Sequence, residues 1–125
     1  MEKVIEISDL TKIYSNGRGI RNINLDICAG EIFGFLGPNG AGKTTAMKIM
    51  TGLIKPDHGD VKIFGRSITE EYEKAMAEVG CLIEVAEAYP YLTAYENLRQ
   101  QARYYPDVDS RRIDEVLELT GILKY

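Results

Sequence analysis

Residues 37–44, Gly-Pro-Asn-Gly-Ala-Gly-Lys-Thr, constrain the fold of this 125-residue chain more than any other stretch. They match the pattern G-x-x-x-x-G-K-[ST] without a mismatch. Glycines at these positions let backbone N–H groups converge on a phosphate chain, because no Cβ intrudes. The apolar run 31–36 before the loop predicts a buried strand, and the segment from Thr44 to about Thr51 predicts a helix. A strand, a phosphate-binding loop and a helix in this order predict an α/β fold of the P-loop type.

The loop also supplies side chains with defined chemistry. Lys43 is placed to reach the β- and γ-phosphates of a nucleoside triphosphate, and the Thr44 hydroxyl is a candidate Mg²⁺ ligand. The helix that follows directs its positive N-terminal end toward the same phosphates. The sequence therefore predicts a site for a nucleotide with its metal ion.

Composition and charge disfavour several other classes of protein. The net charge is −4 and the basic residues are scattered, whereas a nucleic-acid groove needs a basic stripe, so we expect no nucleic-acid partner. The apolar runs are much shorter than the ~20 residues that span a bilayer, and the N-terminus does not have the pattern of a signal peptide. Cys28 and Cys81 are expected to be free, buried thiols.

The remaining elements follow from periodicity and turn residues. Strands are predicted at Val4–Ile7, Ile20–Ile27, Asp60–Phe64 and Val79–Ile83, the last of them buried and ending at Glu84. Helices are predicted at Glu70–Glu78, Ala94–Tyr105 and Ser110–Leu119, with Gly121 ending the last helix. Strands therefore dominate the first third of the chain and helices the last third.

Several motifs in this order resemble the nucleotide-binding domain of ATP-binding cassette (ABC) transporters. They are the aromatic residue Tyr14, the phosphate loop with its approach at 30–45, the loop-helix exit at 51–60 and the segment 92–98. The resemblance implies a RecA-like P-loop NTPase core, with an antiparallel β subdomain at the N-terminus and the start of a helical subdomain. On this interpretation residues 1–125 form the N-terminal part of one ATPase domain. Residues 1–93 would hold the β subdomain and core, and residues 94–125 the beginning of the helical subdomain.

The resemblance also implies a set of ligand contacts for ATP and Mg²⁺. Tyr14 would stack on adenine, and the phosphates would be bound by Asn39, Gly40, Ala41, Gly42, Lys43, Thr44 and Thr45. Mg²⁺ would be bound by Thr44 and Glu84, and the catalytic residues would be Lys43 and Glu84.

Glu84 departs from the common pattern of the family, which places Gln at the end of this strand. The bacitracin- and lantibiotic-type exporters carry Glu there, which favours a branch that exports peptide antibiotics or similar compounds. Either side chain offers an oxygen to Mg²⁺ or to an attacking water, and Glu adds a charge and can accept a proton. The alternative is a solvated carboxylate at the end of a strand.

The parts of the family that complete catalysis do not follow Tyr95 in this sequence. These parts are a Ser-Gly-Gly signature, a Walker-B strand ending in Asp-Glu, and a switch His. The one histidine, His58, lies in a Pro-Asp-His-Gly turn and is expected to be a surface residue. Because phosphoryl transfer needs all of those groups, residues 1–125 alone are predicted to bind a nucleotide without hydrolysing it.

The resemblance implies two protein partners. A transmembrane permease subunit would meet the loop 84–95, and a second nucleotide-binding domain would form a head-to-tail dimer. The protein would then be cytoplasmic and peripheral on the inner face of the membrane. The tyrosines at 89, 91 and 95 fit either this docking surface or packing beneath the helical subdomain. Two other functions remain open: another P-loop enzyme, such as a small kinase or GTPase, and a nucleotide-responsive interaction module that never hydrolyses.

Overall fold

The computed structural model of the chain describes residues 1–123, so the last two residues of the predicted range 94–125 lie outside it. The chain divides into two compact units, Met1–Glu84 and Val85–Tyr125. The first contains β1 (Lys3–Ile13), β2 (Gly19–Cys28), α1 (Lys43–Met50), β3 (His58–Ile63), β4 (Arg66–Ser67) and α2 (Tyr72–Met76). The second contains α3 (Ala94–Ala102) and α4 (Ser110–Leu119). Among the described residues, no helix is long and apolar enough to cross a membrane.

The first unit is built on an antiparallel sheet with the strand order β2-β1-β3-β4. The central strand β1 pairs on both edges, and its Ile7 lies opposite Leu25 of β2 and Val61 of β3. Side chains alternate between the two faces of a strand, so these paired apolar residues share one face of the sheet. This sheet is the antiparallel β subdomain that the sequence predicts.

Helix α1 packs one apolar stripe against the sheet. Ala46 and Ile49 are fully buried, which their spacing of three residues explains because it places them on one side of the helix. They belong to the core that also contains Ile7, Leu10, Ile20, Val61, Ile63, Ile68 and Ala75. Burying a side chain the size of Ile contributes about 1.5–3 kcal/mol, so this core fixes the start of α1 relative to the sheet.

Two predicted buried strands, 31–36 and 79–83, are absent from the structure. Ile32 is 102% exposed and Leu36 is 94% exposed, and Leu82 is also largely exposed. A strand is stabilised by hydrogen bonds to a neighbouring strand, and within residues 1–123 neither run pairs with one. An apolar run of strand length was therefore not sufficient to predict a strand here.

The other elements agree with prediction apart from their ends. β3 begins and ends one or two residues earlier than 60–64, α2 is shorter than 70–78, and α3 ends at Ala102 instead of Tyr105. The two cysteines are free, as predicted, but the expectation that they are buried is wrong. Cys28 is half-buried and Cys81 is exposed, because Cys81 lies in the segment that does not form a strand.

Candidate functional site

The turn between β1 and β2 and the loop before α1 form the walls of a cavity of about 300 Å³. It is lined by Tyr14, Asn16, Arg18, Gly19, Asn39, Gly40, Ala41, Gly42, Lys43, Thr44 and Thr45. All eight residues that the sequence predicts as nucleotide contacts, Tyr14 and residues 39–45, are therefore gathered around one cavity, although the first lies 25 residues before the others begin.

Glycine is required where the two walls meet. Gly42 has φ +100°, and a Cβ there would lie 2.4 Å from Cγ2 of Ile20 and 3.4 Å from the carbonyl oxygen of Gly19. A Cβ on Gly19 would lie 1.8 Å from the carbonyl oxygen of Lys12. A residue with a Cβ at position 19 or 42 would push the two walls apart, so these two glycines set the width of the cavity.

Helix α1 begins at the floor of the cavity with free hydrogen-bonding capacity. Its N-cap is Gly42, which provides no side-chain cap, and the carbonyl oxygen of Gly42 accepts a hydrogen bond from the Ala46 N–H at 2.9 Å. The first N–H groups of any α-helix have no acceptor within the helix. Those of Lys43, Thr44 and Thr45 are thus available to oxygens of a bound anion, and the helix dipole favours negative charge at this end.

Lys43 places its charge across the loop. Its Nζ donates hydrogen bonds to the carbonyl oxygens of Gly37 and of Pro38, the latter at 2.9 Å. Neutral carbonyl oxygens are weaker partners for an ammonium group than phosphate oxygens are. The Lys43 ammonium is therefore held at the loop by contacts that a phosphate group would outcompete.

Tyr14 is held at the edge of the cavity by the turn that follows it. Its backbone N–H donates to the carbonyl oxygen of Arg18 at 2.8 Å, and its hydroxyl lies 3.4 Å from Oγ1 of Thr45. The ring is 38% exposed. An aromatic ring that is fixed at its backbone and open to solvent on one side can stack on a planar ligand.

Sequence reasoning missed three residues of this site, Asn16, Arg18 and Gly19. The Asn16 Oδ1 accepts the Arg18 N–H at 3.0 Å and so organises the turn. Arg18 joins Lys43 as a second cation, and the lining residues, all of them described, include no acidic side chain. The available signal was the run of turn-forming residues at 15–19, Ser-Asn-Gly-Arg-Gly, which directly follows Tyr14 and so lies close to any ligand on that ring.

Glu84 does not line this cavity. The strand that was predicted to carry it is absent, its φ is +61°, and its Oε1 lies 3.2 Å from Nζ of Lys48 in an exposed ion pair. Lys48 lies four residues after Thr44 on α1, which is about one helical turn. The structure therefore places Glu84 beside the next turn of α1, and its predicted roles in metal binding and catalysis stay predictions.

The second unit contains most of the predicted docking loop. Tyr89 and Tyr91 have ring centroids 5.8 Å apart, and both rings are exposed, whereas Tyr95 is half-buried. Asn97 holds the loop in place: its Oδ1 accepts the Tyr89 N–H at 2.8 Å, and its Nδ2 donates to the carbonyl oxygen of Leu92 at 3.2 Å. Two of the three tyrosines are thus exposed to solvent, and their rings lie against each other.

Comparison with known proteins assigns the class to which this fold and cavity belong. The sequence profile of the ABC transporter family matches residues 20–125. A solved structure described as the ATP binding subunit of an ABC transporter superposes with a TM-score of 0.82 at 27% sequence identity, over 95% of this chain and 51% of that chain. The chain belongs to the ABC transporter family, and the predicted α/β P-loop NTPase fold is confirmed.

Two curated relatives show how much of a longer protein this chain matches. It is 47% identical over 122 residues to the uncharacterized ABC transporter ATP-binding protein YhcH of Bacillus subtilis (strain 168), covering 98% of this chain and 40% of YhcH. It is 39% identical over 122 residues to the bacitracin transport ATP-binding protein BcrA of Bacillus licheniformis, again covering 98% and 40%. The chain thus spans about 40% of the length of these relatives. Family membership also excludes the small kinase and the GTPase that the sequence left open.

Proposed function

We propose that this chain is the ATP-binding part of an ABC transporter ATPase subunit, which uses Mg-ATP to drive export of a peptide antibiotic or a similar compound. The observation that carries the proposal is the single cavity that joins Tyr14 to the phosphate loop, with two cations and no acidic side chain in its lining. A ligand that fits such a cavity has a planar ring at one end and several negative charges at the other.

Each wall of the cavity would bind a different part of ATP. The Tyr14 ring would stack on adenine, since ring faces attract one another at van der Waals contact. The N–H groups of Gly40 and of residues 42–45 would donate to the phosphate oxygens, whereas the Ala41 N–H donates to the carbonyl oxygen of Pro38 at 3.1 Å. Lys43 would exchange its two carbonyl acceptors for the β- and γ-phosphates, which are stronger partners.

The residues present also fit Mg²⁺ that arrives with the nucleotide. The described residues contain no group of three or more His, Cys, Asp or Glu side chains that could hold a metal, so these residues alone do not surround one. Mg²⁺ commonly takes only one or two protein ligands and completes its shell with phosphate oxygens and water. The Thr44 hydroxyl would be one such ligand, and Glu84 is proposed as a second. The metal, when bound, neutralises charge on the phosphates.

Hydrolysis and transport are activities of the longer protein. In it, Lys43 would stabilise charge on the phosphates during transfer, and Glu84 would contact the metal ion or the attacking water. Export of a peptide antibiotic is supported by the similarity to BcrA, which is described as a bacitracin transport protein. It is also supported by the similarity to the SkfA peptide export ATP-binding protein SkfE of Bacillus subtilis (strain 168), which is 39% identical over 103 residues.

The proposed partners are a transmembrane permease and a second nucleotide-binding domain in a head-to-tail dimer. The exposed rings of Tyr89 and Tyr91 support the loop 84–95 as the permease contact, because tyrosine is enriched in protein interfaces. Through this contact the protein would be peripheral on the cytoplasmic face of the membrane. The alternative function is an interaction module that binds a nucleotide without hydrolysing it. It would use the same nucleotide site as the proposed ATPase and would differ from it only in having no ATP hydrolysis.

Calorimetric titration of the full-length protein with Mg-ATP tests the nucleotide site. Tyr14→Ala should weaken binding by about 1–3 kcal/mol, the range for stacking of a base on an aromatic ring, and Tyr14→Trp should largely retain it. The control is Tyr104→Ala, which removes an exposed tyrosine of the second unit. Unchanged ATP affinity in Tyr14→Ala would remove this ring from the site.

A further inference from the structure

Asp57 makes three contacts with the end of β1, although it lies 43 residues after Tyr14 in the sequence. Its Oδ2 accepts the Ile13 N–H at 2.7 Å, and its Oδ1 accepts a hydrogen bond from Nζ of Lys12 at 2.8 Å. Its own backbone N–H donates to the carbonyl oxygen of Thr11 at 2.8 Å. Three consecutive residues of β1 are thus bound by one aspartate.

These contacts continue the sheet where β3 no longer covers β1. The last residue pair between the two strands is Thr11 with His58, and β1 extends two residues further to Ile13. On its other edge Ile13 pairs with Gly19 of β2. The Asp57 carboxylate therefore takes the place of a neighbouring strand for the Ile13 N–H, which would otherwise face solvent on this edge.

The next residue after Ile13 is Tyr14. The Tyr14 N–H donates to the carbonyl oxygen of Arg18, which fixes one side of its backbone. On the other side it follows Ile13, whose N–H is bound by Asp57. Hydrogen bonds to a carboxylate are shorter and stronger than those between neutral groups. The exposed Lys12–Asp57 ion pair itself contributes little, so the bond to the Ile13 N–H is the contact that matters for position.

We propose that Asp57 is a positioning residue for nucleotide binding, which holds the end of β1 so that the Tyr14 ring stays at the edge of the cavity. The inference rests on the proposed function, because it concerns the adenine end of the same site. Without the carboxylate, the ring occupies its binding position for a smaller fraction of the time. Apparent affinity falls in proportion to that fraction.

The test uses the full-length protein and three ligands: Mg-ATP, adenosine and inorganic triphosphate. Asp57→Ala should weaken binding of ATP and adenosine by about three- to ten-fold, corresponding to a ring in place for about a tenth to a third of the time. Inorganic triphosphate binding should not change, because the phosphate loop is untouched. Asp57→Asn keeps an acceptor oxygen for the Ile13 N–H and should retain most of the affinity, as should Lys12→Met.

Asp26→Ala is the matched control, since it removes a carboxylate of the same sheet whose Oδ2 lies 2.8 Å from Nζ of Lys3. A double-mutant cycle separates positioning from a general structural role. In the Tyr14→Ala background, Asp57→Ala should have no further effect on ATP binding. If Asp57→Ala does not fold, Asp57→Glu takes its place in the cycle, because the longer side chain moves the acceptor off the Ile13 N–H.

Three results would overturn the inference. They are unchanged ATP affinity in Asp57→Ala (or in Asp57→Glu where it takes its place), equal loss of inorganic triphosphate binding, and an Asp57 effect that persists without Tyr14. If Tyr14→Ala and Lys43→Ala weaken ATP binding while Asp57→Ala, or Asp57→Glu in its place, does not, this inference fails and the proposed function stands. If the wild-type protein binds neither ATP nor adenosine, both fail.

Discussion

The position of Glu84 in the structure bears on its proposed roles in metal binding and catalysis. Its carboxylate is 3.2 Å from the Lys48 ammonium, and its backbone is left-handed with φ +61°. A residue other than glycine in this region costs about 1–2 kcal/mol, and here no strand fixes the conformation. Glu84 does not line the phosphate cavity, so its proposed contact with Mg²⁺ or water requires the chain around it to rearrange.

Steady-state ATPase rates of the full-length protein test that role. Glu84→Ala should reduce hydrolysis substantially and leave ATP binding nearly intact, because the lost contact matters mainly in the transition state. Glu84→Gln should retain much of the activity, since an oxygen remains at the same reach. The control is Glu70→Ala, which removes an exposed carboxylate outside the cavity.

The outcomes of these variants separate the possible roles of Glu84. A general base predicts that Gln fails as badly as Ala, because an amide cannot accept the proton. A solvated carboxylate predicts that neither substitution changes the rate. A full-length protein that binds ATP and never hydrolyses it would instead support the interaction module.

At the residue scale, the sequence predicted the cavity-lining residues that a local motif encodes. Lys43 and Thr44 follow from the loop pattern, because the spacing of the glycines dictates their roles. Asp57 could not be predicted, because its position depends on how distant segments pair, whereas Arg18 was missed although it lies in the turn next to Tyr14. Arg18 reaches the cavity through the pairing of β1 with β2, and Asp57 reaches Ile13 through the end of the β1–β3 pairing.

At the scale of elements, α3 begins with a capping box. The Thr93 Oγ1 accepts the Glu96 N–H at 3.2 Å, and the Glu96 Oε2 accepts the Thr93 N–H at 2.8 Å. The Thr93 backbone N–H, and after it the Thr93 hydroxyl, hold the pKa of Glu96 below its usual value. The ionised carboxylate is thus the form that stabilises the start of the helix.

The sign of the pH dependence of α3 follows from that lowered pKa. A carboxyl group whose pKa is lower in the folded state stabilises the helix above the unfolded pKa, and the effect is lost as pH falls through the folded pKa. In the full-length protein, we therefore expect the amide groups at the start of α3 to be less protected from hydrogen exchange once the pH falls below the usual pKa of a Glu side chain, about 4.3. Glu96→Gln, which keeps an acceptor, should remove most of this dependence. The same pH profile in wild type and Glu96→Gln would contradict this role.

The ends of α4 were predictable because their signals are local. Helix α4 spans Ser110–Leu119 as predicted, with Asp109 accepting the Arg112 N–H at 3.0 Å at its start. Gly121 ends it with φ +74°, and the Ile122 N–H donates to the carbonyl oxygen of Leu117 at 3.0 Å, as in a Schellman motif. The predicted strands at 31–36 and 79–83 failed because strand formation depends on a distant partner.

At the scale of the whole molecule, the fold class was predictable and the completeness of the sheet was not. The resemblance to ABC nucleotide-binding domains predicted the antiparallel subdomain, and the observed strand pairing within the chain forms it. In the first unit, the segments that do not form strands line an apolar cavity of about 430 Å³, together with Ile5, Leu25 and Met47. This chain spans about 40% of the length of its curated relatives. The proposed catalytic cycle is therefore that of a protein of the relatives' full length.

The proposed nucleotide site has the phosphates bound by the loop at 37–44 and the base stacked on Tyr14. Calorimetric titration of the full-length protein and its Lys43→Ala variant with Mg-ATP and with adenosine tests this arrangement. Lys43→Ala should weaken ATP binding strongly and leave adenosine binding nearly unchanged, because the lost charge acts on the phosphates alone. Equal loss of both ligands would mean that Lys43 supports the fold of the loop through its bonds to Gly37 and Pro38, and would contradict the proposed phosphate site.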